Sequence, residues 1–313
     1  MPAANGGDDG GSDTAIARAL SQLLSIVNDI PVSSRKYQVV QSLAENVIHD
    51  NQREDVESLR QVNRTVLSTA FSRTLSQLVA AATLEQQQHG GGGGGDIAGL
   101  DPGHQHHHWV VRAVRSVADV VWTKRVSSSG SRSSAEKLAA ELLWLAETLA
   151  SCGFCEESVR RWASACTLAR LSLSAEPRLQ ASLVKLSALL LKYAKDMGVN
   201  EDSADDNVSK KEQLKRNEEK MQMQMLILWI PLLCIAPNGT DAPVLSVGER
   251  AELERVMAET IEMLEVEDQE RVLSLWLHHF TYCSSSDWPN LHASYARWCN
   301  ASRKHLLNHN HNL

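Results

Sequence analysis

Residues 55–88 read DVESLRQVNRTVLSTAFSRTLSQLVAAATLEQQQ, and this stretch decides the fold. Its apolar side chains recur every three or four residues, which is the spacing that places them on one face of an α-helix. The apolar positions are Val56, Leu59, Val62, Val66, Phe71, Leu75 and Leu78. At the rise of an α-helix, the stretch predicts a single long helix of about seven to nine turns.

The rest of the sequence shows the same helical spacing, and no useful length of it alternates as a strand would. We therefore predict an all-α protein of about nine helices, stacked as helical hairpins in an irregular α-solenoid or a bundle. Three predicted helices share an apolar core around a tryptophan, at 142–145, 227–230 and 274–277. Because these tryptophans are unevenly spaced, they do not establish a repeat.

Caps and helix breakers set the expected boundaries in the first part of the chain. A proline ends a helix over 15–30, and Ser33 or Ser34 caps the next helix. The capping box Ser133-x-x-Glu136 opens a later helix, which Gly153 ends. Further helices are expected over 109–126, 156–173 and 177–197.

The same signals apply to the C-terminal part of the chain. A helix over 210–230 is expected to stop at the proline that follows it. The capping box Ser246-x-x-Glu249 opens an acidic helix, and the span 246–270 holds nine acidic residues against two arginines. An apolar segment over 271–283 follows, and Asp287 with Pro289 is expected to start the last helix.

Low-complexity stretches divide the helical regions, because such compositions cannot bury apolar area. We expect a disordered N-terminus, an N-terminal helical segment, a Gly/His-rich linker, a central helical region, a polar linker, a C-terminal helical region and a tail. In that order, their bounds are 1–14, 15–88, 89–108, 109–198, 199–209, 210–307 and 308–313.

Composition bounds the class of protein. The chain has 313 residues, a net charge of −7 and six cysteines that are not spaced as a disulfide framework. Its longest apolar run, 225–236, is shorter than the roughly 20 residues that cross a bilayer. The acidic balance argues against nucleic acid as a partner, although Arg112 to Arg132 is locally basic. We expect a cytoplasmic or nuclear protein with reduced thiols and no membrane contact.

Scattered histidines and cysteines leave a metal-dependent helical enzyme as an alternative. The candidate ligands are Cys152 and Cys155 of a C-x-x-C, His104 to His108, and the group His278, His279, Cys283, His292 and Cys299. The C-x-x-C follows a helix rather than a strand, and the other residues lack the paired spacing of a metal site. We therefore predict a non-enzymatic protein, with no catalytic residue, no cofactor and no metal.

The eight tryptophans are the most suggestive feature for function. Tryptophan is common both in helical cores and at the energetic centres of protein interfaces. We expect Trp288 and Trp298 to be partly exposed and to anchor a partner in a groove between helices. The predicted protein-binding residues are Trp276, His279, Trp288, Pro289 and Trp298.

Four C-terminal strings carry a family resemblance: LWIPLLC at 228–234, NGTDAPVL at 238–245, VLSLWLHHFTYC at 272–283 and SDWPNLHASYARWC at 286–299. They resemble the C-terminal helical, ankyrin-like region of a plant family of BTB/POZ-domain-containing proteins. The strings at 30–37 and 63–67 also resemble the N-terminal part of a branch of that family without a BTB domain.

The resemblance implies an adaptor without catalytic residues. In the family, the BTB domain docks on a cullin-3 scaffold while the helical region recruits a substrate for ubiquitination. Nothing before Trp109 alternates as the strands of a BTB domain would. The resemblance thus implies a protein-recruiting module whose partner is cullin-3 or a ubiquitination substrate. A scaffold unrelated to ubiquitin stays open.

Overall fold

The computed structural model describes residues 9–31, 34–89, 134–197, 208–236, 244–283 and 288–310. These residues form eleven α-helices and no β-strand, which confirms the all-α prediction and comes close to the predicted number of helices. In chain order they are α1 Asp9–Asp29, α2 Arg35–Arg53, α3 Glu57–His89, α4 Ala135–Ser151, α5 Cys155–Ala163, α6 Cys166–Ser172, α7 Pro177–Met197, α8 Val208–Ile235, α9 Val247–Met263, α10 Val266–Tyr282 and α11 His292–Asn310.

Several expectations lie outside the described residues. They are the helix over 109–126 with its basic residues, the histidine tract 104–108, and most of both predicted linkers. At the edges of those linkers and termini, the structure extends the helices. It places residues 9–14 in α1, residues 208 and 209 in α8, and residues 308–310 in α11.

The strongest sequence signals are confirmed. The stretch that decides the fold is one helix of 33 residues, α3. The predicted helix over 177–197 is α7, with its proline in the first turn, where a missing N–H costs no hydrogen bond. Ser34 caps α2 by accepting the Lys36 N–H at 3.2 Å. Ser246 and Glu249 form both hydrogen bonds of the capping box at the start of α9.

The turn between α4 and α5 also follows its prediction. Gly153 has a φ of 80°, a left-handed conformation that glycine adopts without a Cβ clash. Its N–H donates to the Ala150 carbonyl at 2.9 Å, and the Phe154 N–H donates to the Leu149 carbonyl at 2.8 Å. This is the Schellman arrangement that ends a helix and pairs its last carbonyls. The predicted capping box at the other end of α4 is wrong, because Ser134 is the cap and accepts the Lys137 N–H.

Two predicted long helices are each divided in the structure. The helix over 156–173 consists of α5 and α6, and at the break the Ser164 hydroxyl donates to the Arg161 carbonyl at 2.9 Å. The acidic helix over 246–270 is divided at Leu264, whose backbone is extended and whose side chain is buried. Neither break carries a glycine or proline, the residues that usually mark such a boundary in sequence.

The predicted stop at Pro231 is wrong, because α8 continues through it to Ile235. A proline inside a helix costs about 3 kcal/mol, since it removes a hydrogen bond and crowds the preceding turn. The three residues after it, Leu232, Leu233 and Cys234, are fully buried. Burial of large aliphatic side chains contributes about 1.5–3 kcal/mol each, enough to keep the helix continuous. At the last helix, α11 begins at His292 rather than at Asp287.

The helices stack in a nearly sequential order around one core. The long α3 packs most extensively on α4, α4 packs on α7, α7 on α8, α8 on α10, and α10 on α11. The hairpin of α1 and α2 also packs on α3. In the centre, the Trp162 and Trp229 rings stack with centroids 4.2 Å apart, and both side chains are fully buried.

A buried polar cluster joins the N-terminal helices to the rest. The Asn28 amide of α1 donates to Glu141 Oε2 of α4 at 3.1 Å and to the Thr74 hydroxyl of α3 at 3.4 Å. Lys137 forms an ion pair with Glu141, with Nζ and Oε1 3.1 Å apart, and also donates to the Asn28 carbonyl. The N-terminal helical segment is therefore part of the packed body.

Candidate protein-binding site

The predicted binding residues lie on the last two helices and on the segment between them, and Trp276 is at their centre. Its side chain on α10 is fully buried, and its indole N–H donates to the Pro289 carbonyl at 2.7 Å. That hydrogen bond ties the segment before α11 to the middle of α10. The neighbouring Asn290 N–H donates to Glu254 of α9 at 2.7 Å. Together these contacts hold the segment before α11 against α9 and α10.

Trp288 is buried, so the prediction that it is partly exposed is wrong. Only 4% of the side chain is accessible, and the Arg250 guanidinium lies 5.7 Å from its ring centroid. Its indole N–H donates to the Arg250 carbonyl at 3.5 Å. A tryptophan covered by a cation in this way gains a stabilising cation–π contact. Pro289 is buried beside it, so both residues support the site from inside.

Trp298 is half-buried, as predicted, and belongs to a surface of four rings. We call this the C-terminal aromatic surface. Its members are Phe280, His292, Tyr295 and Trp298. The Tyr295 and Trp298 centroids are 5.8 Å apart, and the Phe280 and His292 rings meet edge to face at 5.4 Å. Buried Trp276 lies within 6.4 Å of the Phe280, His292 and Tyr295 centroids, so it supports the surface from below.

Two polar features distinguish this surface from ordinary core. The Trp298 indole nitrogen has no hydrogen-bond partner among the described residues and is itself shielded from solvent. The Tyr295 hydroxyl bonds to the Cys299 thiol, and this contact raises the pKa of Tyr295. Half-buried indole and phenol groups are typical of protein interfaces.

His279 lies at the edge of the site and is half-buried. Burial, with a smaller contribution from neighbouring His278, lowers the pKa of His279. Burial therefore favours the neutral form of this ring. Tyr282, on the next turn, is 80% exposed, and its ring lies tilted against His278 with centroids 4.8 Å apart. Half-buried and exposed rings therefore continue along α10 as far as Tyr282.

The other candidate ligands that the structure describes do not gather into a site; His104 to His108 lie outside the described residues. Among the described residues there is no group of three or more His, Cys, Asp or Glu side chains that could hold a metal ion. Cys152 caps the end of α4 and Cys155 opens α5, and burial raises the pKa of both thiols. Cys234 is fully buried, which raises the pKa of its thiol to about 12 and keeps it protonated.

The sequence reasoning missed Phe280, His292 and Tyr295 as members of the surface. A signal for them exists in the helical spacing, since Tyr295 and Trp298 are three apart and Trp276 and Phe280 are four apart. The contact between the two helices depends on the path of residues 288–291, which spacing alone does not predict.

No helix in the described part of the chain is both long enough and apolar enough to span a membrane. The chain matches no protein-family model, no curated protein and no solved structure.

Proposed function

We propose that this protein is a non-enzymatic helical interaction module of the cytoplasm or nucleus, which recruits a protein partner to a cullin-3 ubiquitin ligase as an adaptor or regulator. The observation that carries the proposal is the C-terminal aromatic surface on a rigidly packed helical body. The link to ubiquitination rests on the resemblance of the strings at 228–299 to BTB/POZ-domain-containing proteins.

The chemistry of the surface favours binding over catalysis. Rings that their neighbours already hold in place lose little conformational entropy on binding. More of the free energy gained by burying them therefore contributes to affinity. Tyrosine and tryptophan side chains dominate the energetic centres of interfaces. Tyr295 and Trp298 supply one of each on adjacent turns of α11. Trp288 and Trp276 hold α11 in place from within the core.

The ligase link is tested by titrating the purified full chain with the N-terminal region of cullin-3. We expect a dissociation constant in the micromolar range or tighter, because ligase adaptors assemble with the scaffold directly. No binding at about 100 μM would contradict the cullin-3 proposal, because the free energy of binding would then be weaker than roughly −5.5 kcal/mol. The aromatic surface would then belong to an interaction module or scaffold outside ubiquitination.

A further inference from the structure

A groove that shares no residue with the C-terminal aromatic surface lies between α2 and α4. It is open and has a volume of about 410 Å³. We call it the α2–α4 groove. It is lined by Glu45, Ile48, His49 and Gln52 of α2 and by Trp144, Glu147, Thr148 and Ser151 of α4. A hydrogen bond from the Gln52 amide to the Ser151 carbonyl, at 3.1 Å, closes one end.

Trp144 is the aromatic residue of this groove, and its orientation is fixed. Trp162, Trp229 and Trp276 are fully buried, whereas Trp144 is half-buried and lines the groove. Its indole N–H donates to Glu45 Oε1 at 2.8 Å. A tryptophan held by a carboxylate offers a ring face that needs no reordering when a ligand stacks on it.

The groove is negatively charged. Glu45 and Glu147 are both exposed, and no lysine or arginine is among the described residues that line it. Neither carboxylate forms an ion pair with another described residue, in contrast to Glu157, which pairs with Arg64. The same charge contributes to the raised pKa of two tyrosines. Burial and Glu141 raise the pKa of Tyr37 to about 12, and Glu45 makes a smaller contribution. Burial raises the pKa of Tyr193, and Glu147 adds to that effect.

We propose that the α2–α4 groove binds a lysine- or arginine-bearing segment of a partner protein, with the cation held by the Trp144 ring and the carboxylates of Glu45 and Glu147. A cation over an indole face gains cation–π energy, and a carboxylate adds a charge-assisted hydrogen bond. Arginine suits the groove best, because its planar guanidinium stacks on a ring and donates in the same plane.

The test uses the full chain and a fluorescent octapeptide of alternating arginine and serine, with a glutamate–serine octapeptide as the negative probe. Anisotropy titration at low salt is expected to show binding of the arginine peptide alone. The double variant Glu45→Gln and Glu147→Gln should weaken it by about tenfold, the sum of two exposed charge pairs. Glutamine at position 45 keeps an acceptor for the Trp144 N–H, so the ring stays in place.

A matched control removes the same charge elsewhere. Glu267→Gln with Glu270→Gln changes two exposed carboxylates on α10 and should leave the affinity for the arginine peptide within twofold. An equal loss in both double variants would overturn the proposal, because it would show attraction to net charge alone. Unchanged affinity in the Glu45 and Glu147 variant would also overturn it.

Two other occupants are distinguished by the same series. If the peptide binds only after the basic residues of 112–132 are replaced by glutamine, the groove belongs to the chain's own basic segment and the proposal of a partner is wrong. If the chain is a dimer that the Glu45 and Glu147 substitutions dissociate, a second copy is the occupant and the proposal again fails. None of these outcomes bears on the C-terminal aromatic surface, with which the groove shares no residue.

Discussion

Glu141 places an ionisable side chain in the core and is only 2% exposed. Its carboxylate is held by Lys137 and Asn28, yet burial outweighs these contacts and raises the pKa of Glu141. A carboxyl group whose pKa is higher in the folded than in the unfolded state binds more protons when folded. Its contribution to stability is therefore present below the ordinary pKa of 4.5 and is lost as pH rises through the raised value.

Glu141→Gln tests this residue. We expect the variant to lose the part of the pH dependence of unfolding that lies above pH 4.5. At pH 7 it should be no less stable than the original protein, because glutamine, like the protonated carboxyl group, accepts from the Asn28 amide without burying a negative charge. The measurement is urea unfolding followed by circular dichroism across pH 4 to 8.

The control for this prediction replaces the whole ion pair. Lys137→Met with Glu141→Leu keeps a similar volume and leaves no unpaired charge, so its stability at pH 7 should lie close to that of the original protein. A Glu141→Gln variant that is clearly less stable at pH 7 than the double variant would contradict this account, because it would show that Lys137 depends on a carboxylate partner.

Among the elements, α8 is the helix that continues through a residue expected from local sequence to end it. Pro231 lies inside it, and fully buried residues flank the proline on both sides, including Ile230 and Leu232. Tertiary packing therefore sustains a helix that local preference would end. The missing N–H at position 231 leaves one carbonyl of the preceding turn without its helical hydrogen bond.

Pro231→Ala should raise the free energy of unfolding by about 1–3 kcal/mol, because alanine restores the hydrogen bond and removes the ring from the preceding turn. Pro177→Ala is the matched control and should change stability little, since a first-turn proline lacks no hydrogen bond. Urea unfolding of both variants makes the measurement. Destabilisation by Pro231→Ala would show that the shape imposed by the proline is required for packing.

The elements also show what the sequence could predict. The boundaries of α3 and α7 and the cap of α9 follow from apolar spacing and local hydrogen bonds, which the sequence contains. The break at Ser164 and the continuation through Pro231 depend on contacts with distant helices. The burial of Trp288 likewise depends on Arg250, which lies on another helix. Local signals could predict the candidate site as tryptophan-rich, but not which of its rings reach the surface.

For the molecule as a whole, the packing of α3 on α4, α5 and α6 joins the N-terminal helices to the rest of the chain. Arg64 of α3 donates to Glu157 of α5 at 2.7 Å, and Gln86 near the other end of α3 donates to Ser174 at 2.8 Å. This long helix supports the stack at whose end α11 packs on α9 and α10. The body thus presents the α2–α4 groove and the C-terminal aromatic surface as separate faces on one framework.

The central claim is that the C-terminal aromatic surface binds a protein partner. It is tested most directly by a photoreactive phenylalanine at position 295 of the full chain, irradiated in cells. The account predicts one discrete cross-linked protein, which disappears when Trp298 is changed to alanine, because loss of a hot-spot ring costs about 2 kcal/mol or more. The same probe at the exposed position Val39 of α2 should not capture that protein. No adduct from position 295, or the same adduct from both positions, would contradict the account.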